Sequence, residues 1–219
     1  MSINSLLENY LYFSNPRNFN DPFDCITNRE KYILKGSPGI VKHREDIGVC
    51  CFSTINDNPL MWGHYANSYT GFCIKFDSKL LRNNHIQIKS HISYLKDYMP
   101  TNSDFDLAKE QIKQLEIEED FKETTLVALG MLNAYCWKYY DWKYEKEFRA
   151  IAINTDEFER KLKFDKENLL EVYIGHRMKI VDPNYYNLLI YILKNEYPTV
   201  KIYEVRPHHL IVKLEFEEI

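Results

Sequence analysis

Apolar residues recur along this chain in two periods. Through Leu11–Ser14, Ile47–Ser53 and Gly71–Asp77 they run together or alternate every second position, as strands do. In the third segment Phe72, Ile74 and Phe76 oppose Cys73 and Lys75. Asn15-Pro16 ends the first strand. Pro59 opens a short helix through Ala66, with Asp57 or Asn58 as its cap. Ile86–Leu95 reads as one further strand. The longest helical signal follows it. Ser103 and Asp106 form a capping box, and apolar positions recur at Leu107, Ile112, Leu115, Phe121, Leu126 and Leu129. A break is expected near Glu116–Asp120 or at Gly130.

Downstream, Arg149–Asn154 and Leu170–Ile174 read as strands. Asp182 caps a helix with Pro183 at its first position, and Tyr185, Leu188, Leu189 and Ile192 form its apolar stripe. Val200–Val205 and Leu210–Phe216 read as closing strands paired around Pro207-His208-His209. Strands dominate and helices are not regularly interleaved between them. The pattern predicts one α+β domain over residues 1–219, with a mostly antiparallel mixed sheet, a long mid-chain helix and a C-terminal helix between strands.

Composition narrows the partners. A chain of 219 residues, 45% apolar and 27% charged, is long enough for one sizeable core. Aromatic residues reach 15%, with 17 Tyr and 12 Phe, and a Tyr ring with its polar tip suits the lining of a cleft. The net charge of −4 and the scattered Lys and Arg argue against an extended nucleic-acid footprint and leave room only for a local patch. Cys25, Cys50, Cys51, Cys73 and Cys136 are odd in number and contain no C-x-x-C pair, which points to reduced thiols in the cytoplasm. Adjacent Cys50 and Cys51 face opposite sides of a strand, as buried thiols would. The N-terminus lacks the basic and apolar regions of a signal peptide, and no stretch approaches a membrane span. No membrane association is therefore expected.

Candidate chemistry concentrates in Trp142–Ile153. Glu145 and Glu147 stand two residues apart at the mouth of a strand, so alternation places both on one face, with Arg149 in the same series. Two such acids are either a solvated strand start with a salt bridge or groups used in chemistry. Phe19-Asn20-Asp21-Pro22-Phe23-Asp24 reads as a rigid turn whose acids close a site rim, bind a metal or cap a helix. Ser53-Thr54 ends a strand with hydroxyls able to orient a ligand or a carboxylate. In Met61-Trp62-Gly63-His64-Tyr65-Ala66, Trp62, His64 and Tyr65 cannot share one helical face. They either stack on an aromatic ligand or bury a Trp beside a satisfied His. His208-His209 would face opposite sides of a strand, and no metal is expected there.

Several of these segments together resemble the DUF2971 family of bacteria and phages. They are Leu11-Tyr12-Phe13-Ser14-Asn15-Pro16, Phe19–Asp24, Cys51-Phe52-Ser53, Met61–Ala66 with Gly71-Phe72, Lys138, Trp142–Arg149 and Val172-Tyr173-Ile174-Gly175. The order of Ser53-Thr54 and Glu145-x-Glu147 is also similar to the Ser-Thr-Ser and Glu-x-Glu elements of ADP-ribosyltransferases. That likeness implies an NAD-dependent enzyme acting on a protein or nucleic-acid acceptor, in a setting such as phage defence. Glu147 would be the catalytic carboxylate, Glu145 would activate the acceptor and Ser53 would orient Glu147. Trp62, His64, Tyr65, Arg149, Arg17, Asn20 and Asp21 would hold the dinucleotide. Only ten residues precede Leu11 and none is Arg or His, which leaves two expectations: Arg17 or Arg149 takes the place of the upstream cation of those transferases, or the chain is a truncated, inactive or partner-completed relative.

Two other readings stand beside this one. A metal-dependent nuclease or phosphoesterase would use Asp21, Asp24, Glu145 and Glu147 as ligands, with Lys138 or Lys146 near the phosphate. A non-catalytic binding or regulatory module would use the aromatic surface for a partner. Oligomeric state is not encoded legibly.

Overall fold

The computed structural model describes residues 2–21, 23–25, 47–96, 110, 135–153 and 155–219. Within them the strands are β1 (Tyr10–Tyr12), β2 (Gly48–Ser53), β3 (Phe72–Phe76), β4 (Ile86–His91), β5 (Ser93–Leu95) and β6 (Trp137–Tyr139). They continue with β7 (Glu147–Ala152), β8 (Lys161–Lys163), β9 (Leu169–Gly175), β10 (Lys201–Pro207) and β11 (Leu214–Glu218). The fold is α+β, as the pattern predicts. Apart from Glu110, which is helical, the long helix read between Ser103 and Gly130 lies outside the described residues. No helix among those described is long and apolar enough to cross a membrane.

The chain forms two compact units. The first comprises Met1–Tyr12, Ser53–Asn83 and Leu162–Ile219, and contains a four-stranded sheet in the order β11-β10-β9-β3. Strands β9 and β10 are parallel, and the other two pairs are antiparallel. The parallel pair needs a crossover, which the helix Pro183–Glu196 supplies. Asp182 caps that helix by accepting from Tyr185 N–H at 2.9 Å. Its buried face is Leu189, Ile192 and Leu193, so the stripe lies slightly off the expected one and leaves Leu188 48% exposed.

The strand read at Leu210–Phe216 is shifted in the structure. Pro207 pairs with Leu214, and His208 N–H closes the turn on Lys213 O at 2.8 Å. That register leaves Leu210, Ile211 and Val212 in the turn, with Val212 97% exposed. Apolar character alone suggested a strand there, but the hairpin register decides otherwise.

The second unit comprises Phe13–Phe52 and Asn84–Lys161. Its sheet runs β2-β7-β4, and β5 pairs in parallel with β6. The single strand expected over Ile86–Leu95 is two strands broken at Ile92. The Ile92 N–H donates to Glu147 O at 3.1 Å and its side chain enters the core. The break lets β4 pair with β7 while β5 turns to β6. The core here gathers Cys25, Ile47, Val49, Ile88, Tyr135, Cys136 and Ile151. Gly48 is required where it stands, because a Cβ would lie 2.6 Å from the Thr155 methyl and 2.7 Å from Phe13 Cβ.

Candidate functional site

Strand β7 carries Glu147 and Arg149 into the interior of the second unit, on one face as alternation requires. Arg149 is fully buried, and its guanidinium is saturated. Nε donates to Glu147 Oε1 at 2.7 Å and Nη2 to Glu147 Oε2 at 3.2 Å. The two Nη atoms grip Asp24 bidentately, at 2.9 and 2.6 Å. Nη1 also donates to Tyr135 O at 2.6 Å and to Cys25 Sγ at 3.2 Å. Phe19 lies 5.2 Å from the guanidinium carbon and covers one of its faces.

Glu145 reaches the same cluster by a different route from the one expected. It ends the 3₁₀ run Tyr140–Glu145 instead of lying in the strand. Lys146 follows in the left-handed conformation, φ 47° and ψ 46°, and turns the chain into β7. The Lys138 ammonium, extending from β6, donates to Glu145 Oε2 at 2.6 Å and to Glu147 Oε2 at 3.3 Å, and lies 3.7 Å from Asp24 Oδ2. Its other neighbour is the Trp142 ring, at 4.8 Å. The cluster thus joins three carboxylates, Asp24, Glu145 and Glu147, to two cations, Lys138 and Arg149. Each side chain is at most 5% exposed. A solvated strand start is excluded by that burial.

Proton affinities follow from this competition. Burial alone would raise the Glu147 carboxyl, but the Arg149 charge and hydrogen bonds, with Lys138 and Cys51, outweigh it and hold the group below its ordinary value. Burial would likewise lower the Lys138 ammonium, but Glu147, Glu145 and Asp24 hold it above its ordinary value. The Cys25 thiol is pushed up by burial and donates to Asp24 Oδ1 at 3.3 Å. Cys136 is pushed up to about 11, again mainly by burial.

Cys51 is the accessible neighbour of this cluster. It is solvent-exposed, yet the protein crowded around it desolvates the thiol, and with the Glu147 charge keeps it protonated well above the usual thiol range. Its thiol hydrogen-bonds to the Glu147 carboxylate, so the cluster reaches an exposed residue.

Other residues read from the sequence have local roles. Asp21 is buried and accepts from Phe23 N–H at 2.8 Å, the self-bonded turn expected before Pro. Arg17 and Asn20 are exposed. In the first unit, Ser53 Oγ accepts from Ile55 N–H at 3.2 Å. Trp62 is buried, stacks on Tyr69 at 5.9 Å between centroids and donates from its indole to Asn56 O at 2.7 Å. His64 and Tyr65 are exposed, with their rings edge to face at 6.4 Å. The three rings therefore divide as their helical spacing requires. Asp24 and Lys138 matter more than the sequence indicated, because Asp24 pairs with a residue 125 positions away.

Among the described residues, no group of three or more His, Cys, Asp and Glu side chains is arranged to hold a metal ion. His208 and His209 stack on each other at 4.7 Å between centroids.

Comparison with known proteins gives one match. The DUF2971 family model, described as a protein of unknown function, matches residues 61–150. The resemblance noted in the sequence therefore holds over that stretch, which includes Lys138, Glu145, Glu147 and Arg149 but not Asp24. No curated protein and no solved structure matches the chain.

Proposed function

We propose that this chain is an ADP-ribosyltransferase-like enzyme that moves ADP-ribose from NAD to a macromolecular acceptor, with Glu147 as its catalytic carboxylate. The observation that carries the reading is the sign of the buried cluster. Among the described residues three carboxylates face two cations, a formal excess of one negative charge. Fixed negative charge in a poorly polarisable site stabilises positive charge that develops during reaction. Cleavage of the nicotinamide–ribose bond sends its electron pair to the ring nitrogen and leaves an oxocarbenium-like ribose. The acceptor's lone pair then bonds to the anomeric carbon, and its proton passes to Glu145.

Lys138 and Arg149 fix the two acids, and the Cys51 thiol hydrogen-bonds to Glu147. A phosphoesterase fits less well. Asp24 and Glu147 are held by Arg149, Glu145 by Lys138, and Asp21 by its own turn, so the acids that would ligate a metal are already engaged.

The closure of the cluster favours a second reading. Glu147 is 5% exposed and both of its carboxylate oxygens are engaged, as in a clamp that stiffens a binding module. One experiment separates the two. Purified chain, wild type or Glu147→Gln, is incubated with labelled NAD and cell lysate, and free nicotinamide and transferred label are followed. The enzyme reading expects both products from wild type and a drop of at least a hundredfold in the variant, with both proteins folded. Silence from both, with no NAD binding by calorimetry, leaves the clamp.

A further inference from the structure

The segment that delivers Glu145 to the cluster turns a different set of side chains outward. Over Tyr139–Lys146 the chain alternates rings with charges, and Tyr139, Asp141, Lys143 and Lys146 are exposed. The 3₁₀ run places residues three apart on one edge, so Lys143 lies against Tyr140. Its ammonium donates to the phenol oxygen at 2.6 Å and lies 4.2 Å from the ring centroid. Lys96 reaches the same ring, at 4.7 Å. It follows directly from β5, whose Leu95 pairs with Tyr139. Two ammonium groups are therefore held against one aromatic ring, concentrating positive charge there. Lys143 also holds the Tyr140 hydroxyl below its ordinary proton affinity, through its hydrogen bond and then its charge. Beside this pair the Tyr139 ring is 45% exposed. Trp142 and Tyr144, 6.0 Å apart, are partly exposed on the same segment. Asp141 is the one exposed acid between Tyr139 and Lys146.

We propose that Tyr140, Lys143 and Lys96, together with the exposed Tyr139 that precedes Tyr140 in the chain, bind single-stranded nucleic acid, the rings stacking on bases and the lysines holding the phosphates. Unpaired bases offer flat faces that exposed rings can stack on, whereas a duplex hides them. A patch of so few cations on a chain of net charge −4 cannot hold a duplex by charge alone. The same 3₁₀ run carries this outward patch and ends at the buried Glu145. The choice of nucleic acid as acceptor rests on the transferase reading, but the binding does not.

The test is fluorescence anisotropy with the full chain and labelled 12-nucleotide strands of DNA and of RNA, beside a duplex of the same sequence. Both single strands are expected to bind more tightly than the duplex, and the DNA and RNA arms show which backbone is preferred. Tyr139→Ala should weaken binding about tenfold. Lys143→Gln should lower the slope of log affinity against log salt by about 0.7. Tyr191→Ala, which removes an exposed ring of the first unit, should change nothing. Circular dichroism confirms that each variant is folded. Equal or tighter duplex binding, absence of strand binding, or indifference to Tyr139→Ala overturns the proposal. Strand binding without label transfer from NAD would sink the transferase reading alone. Label found only on protein, with no strand bound, would sink this inference alone.

Discussion

The surroundings of Arg149 and of Trp62 bury polar atoms by opposite means. Around Trp62 the partners are rings and backbone. The indole stacks on Tyr69, its N–H meets Asn56 O, and Tyr173 stacks on Tyr203 with Phe216 edge-on. Neutral polar tips are satisfied by single partners, and the local tension lies in the backbone. Asn67, Ser68 and Tyr69 are all left-handed, with φ of 46°, 55° and 68°. They fit because Gly175 lets Tyr69 approach where any Cβ would meet its carbonyl oxygen at 2.2 Å. Around Arg149, among the described residues, only Cys25 and Lys146 are left-handed, with φ of 49° and 47°, and the tension lies chiefly in charge, since Lys138, Arg149, Asp24 and Glu147 each share two or more ionic partners. The first arrangement responds to lost volume. The second responds to a lost charge even when volume is kept.

The largest expected effect tests that contrast directly. Arg149→Met keeps most of the volume but leaves three buried carboxylates to Lys138, so it should cost about 3–5 kcal/mol in urea unfolding. A cost under about 1 kcal/mol would show that the cluster is not held by charge. Trp62→Phe is a comparably mild change of shape in the other region. Losing part of the ring and the bond to Asn56 O should cost about 1–2 kcal/mol. If the two variants cost the same, the distinction between the regions collapses.

The pH dependence sharpens the comparison on the charged side. Glu147 binds its proton less readily in the folded chain than at its ordinary value of 4.5. Its contribution is complete above that pH and is lost as pH falls through the folded value. Lys138 is shifted the other way, so its contribution is complete below 10.5 and is lost as pH rises through its higher folded value. Urea midpoints measured from pH 7 to pH 3 should therefore fall more steeply for wild type than for Glu147→Gln, while Trp62→Phe should parallel wild type. The smallest effect is expected at Lys146. Lys146→Gly relieves a left-handed lysine and should stabilise by about 0.5 kcal/mol, whereas Lys146→Val should destabilise by about 1 kcal/mol or more.

What was legible in the sequence is what short-range physics writes there. The caps at Asn58-Pro59 and Asp182-Pro183 form as read, because a side-chain oxygen three residues or fewer from an unpaired N–H needs nothing distant. The alternation of Glu147 and Arg149 was equally local, and so was their pairing. The convergence of Glu145 was anticipated for the wrong reason. Strand alternation suggested it, and a left-handed lysine achieves it, although lysine gives no sign of that conformation in a sequence. Asp24 could not be matched to Arg149 at all, since a contact across 125 residues leaves no periodic trace. Ile92 interrupts its strand for a core that the surrounding ten residues do not describe.

The thiols around Arg149 turn the cluster into its own reporter. Cys25 and Cys136 are buried and hold their protons tightly, so a thiol reagent reaches them only in molecules whose interior has opened. Cys51 is the exposed residue of the three, although its thiol is also held protonated. The lag between the labelling of Cys51 and that of the other two, followed by mass spectrometry on the native protein, is a clock. It counts how often the charged interior meets water, without denaturant or dye.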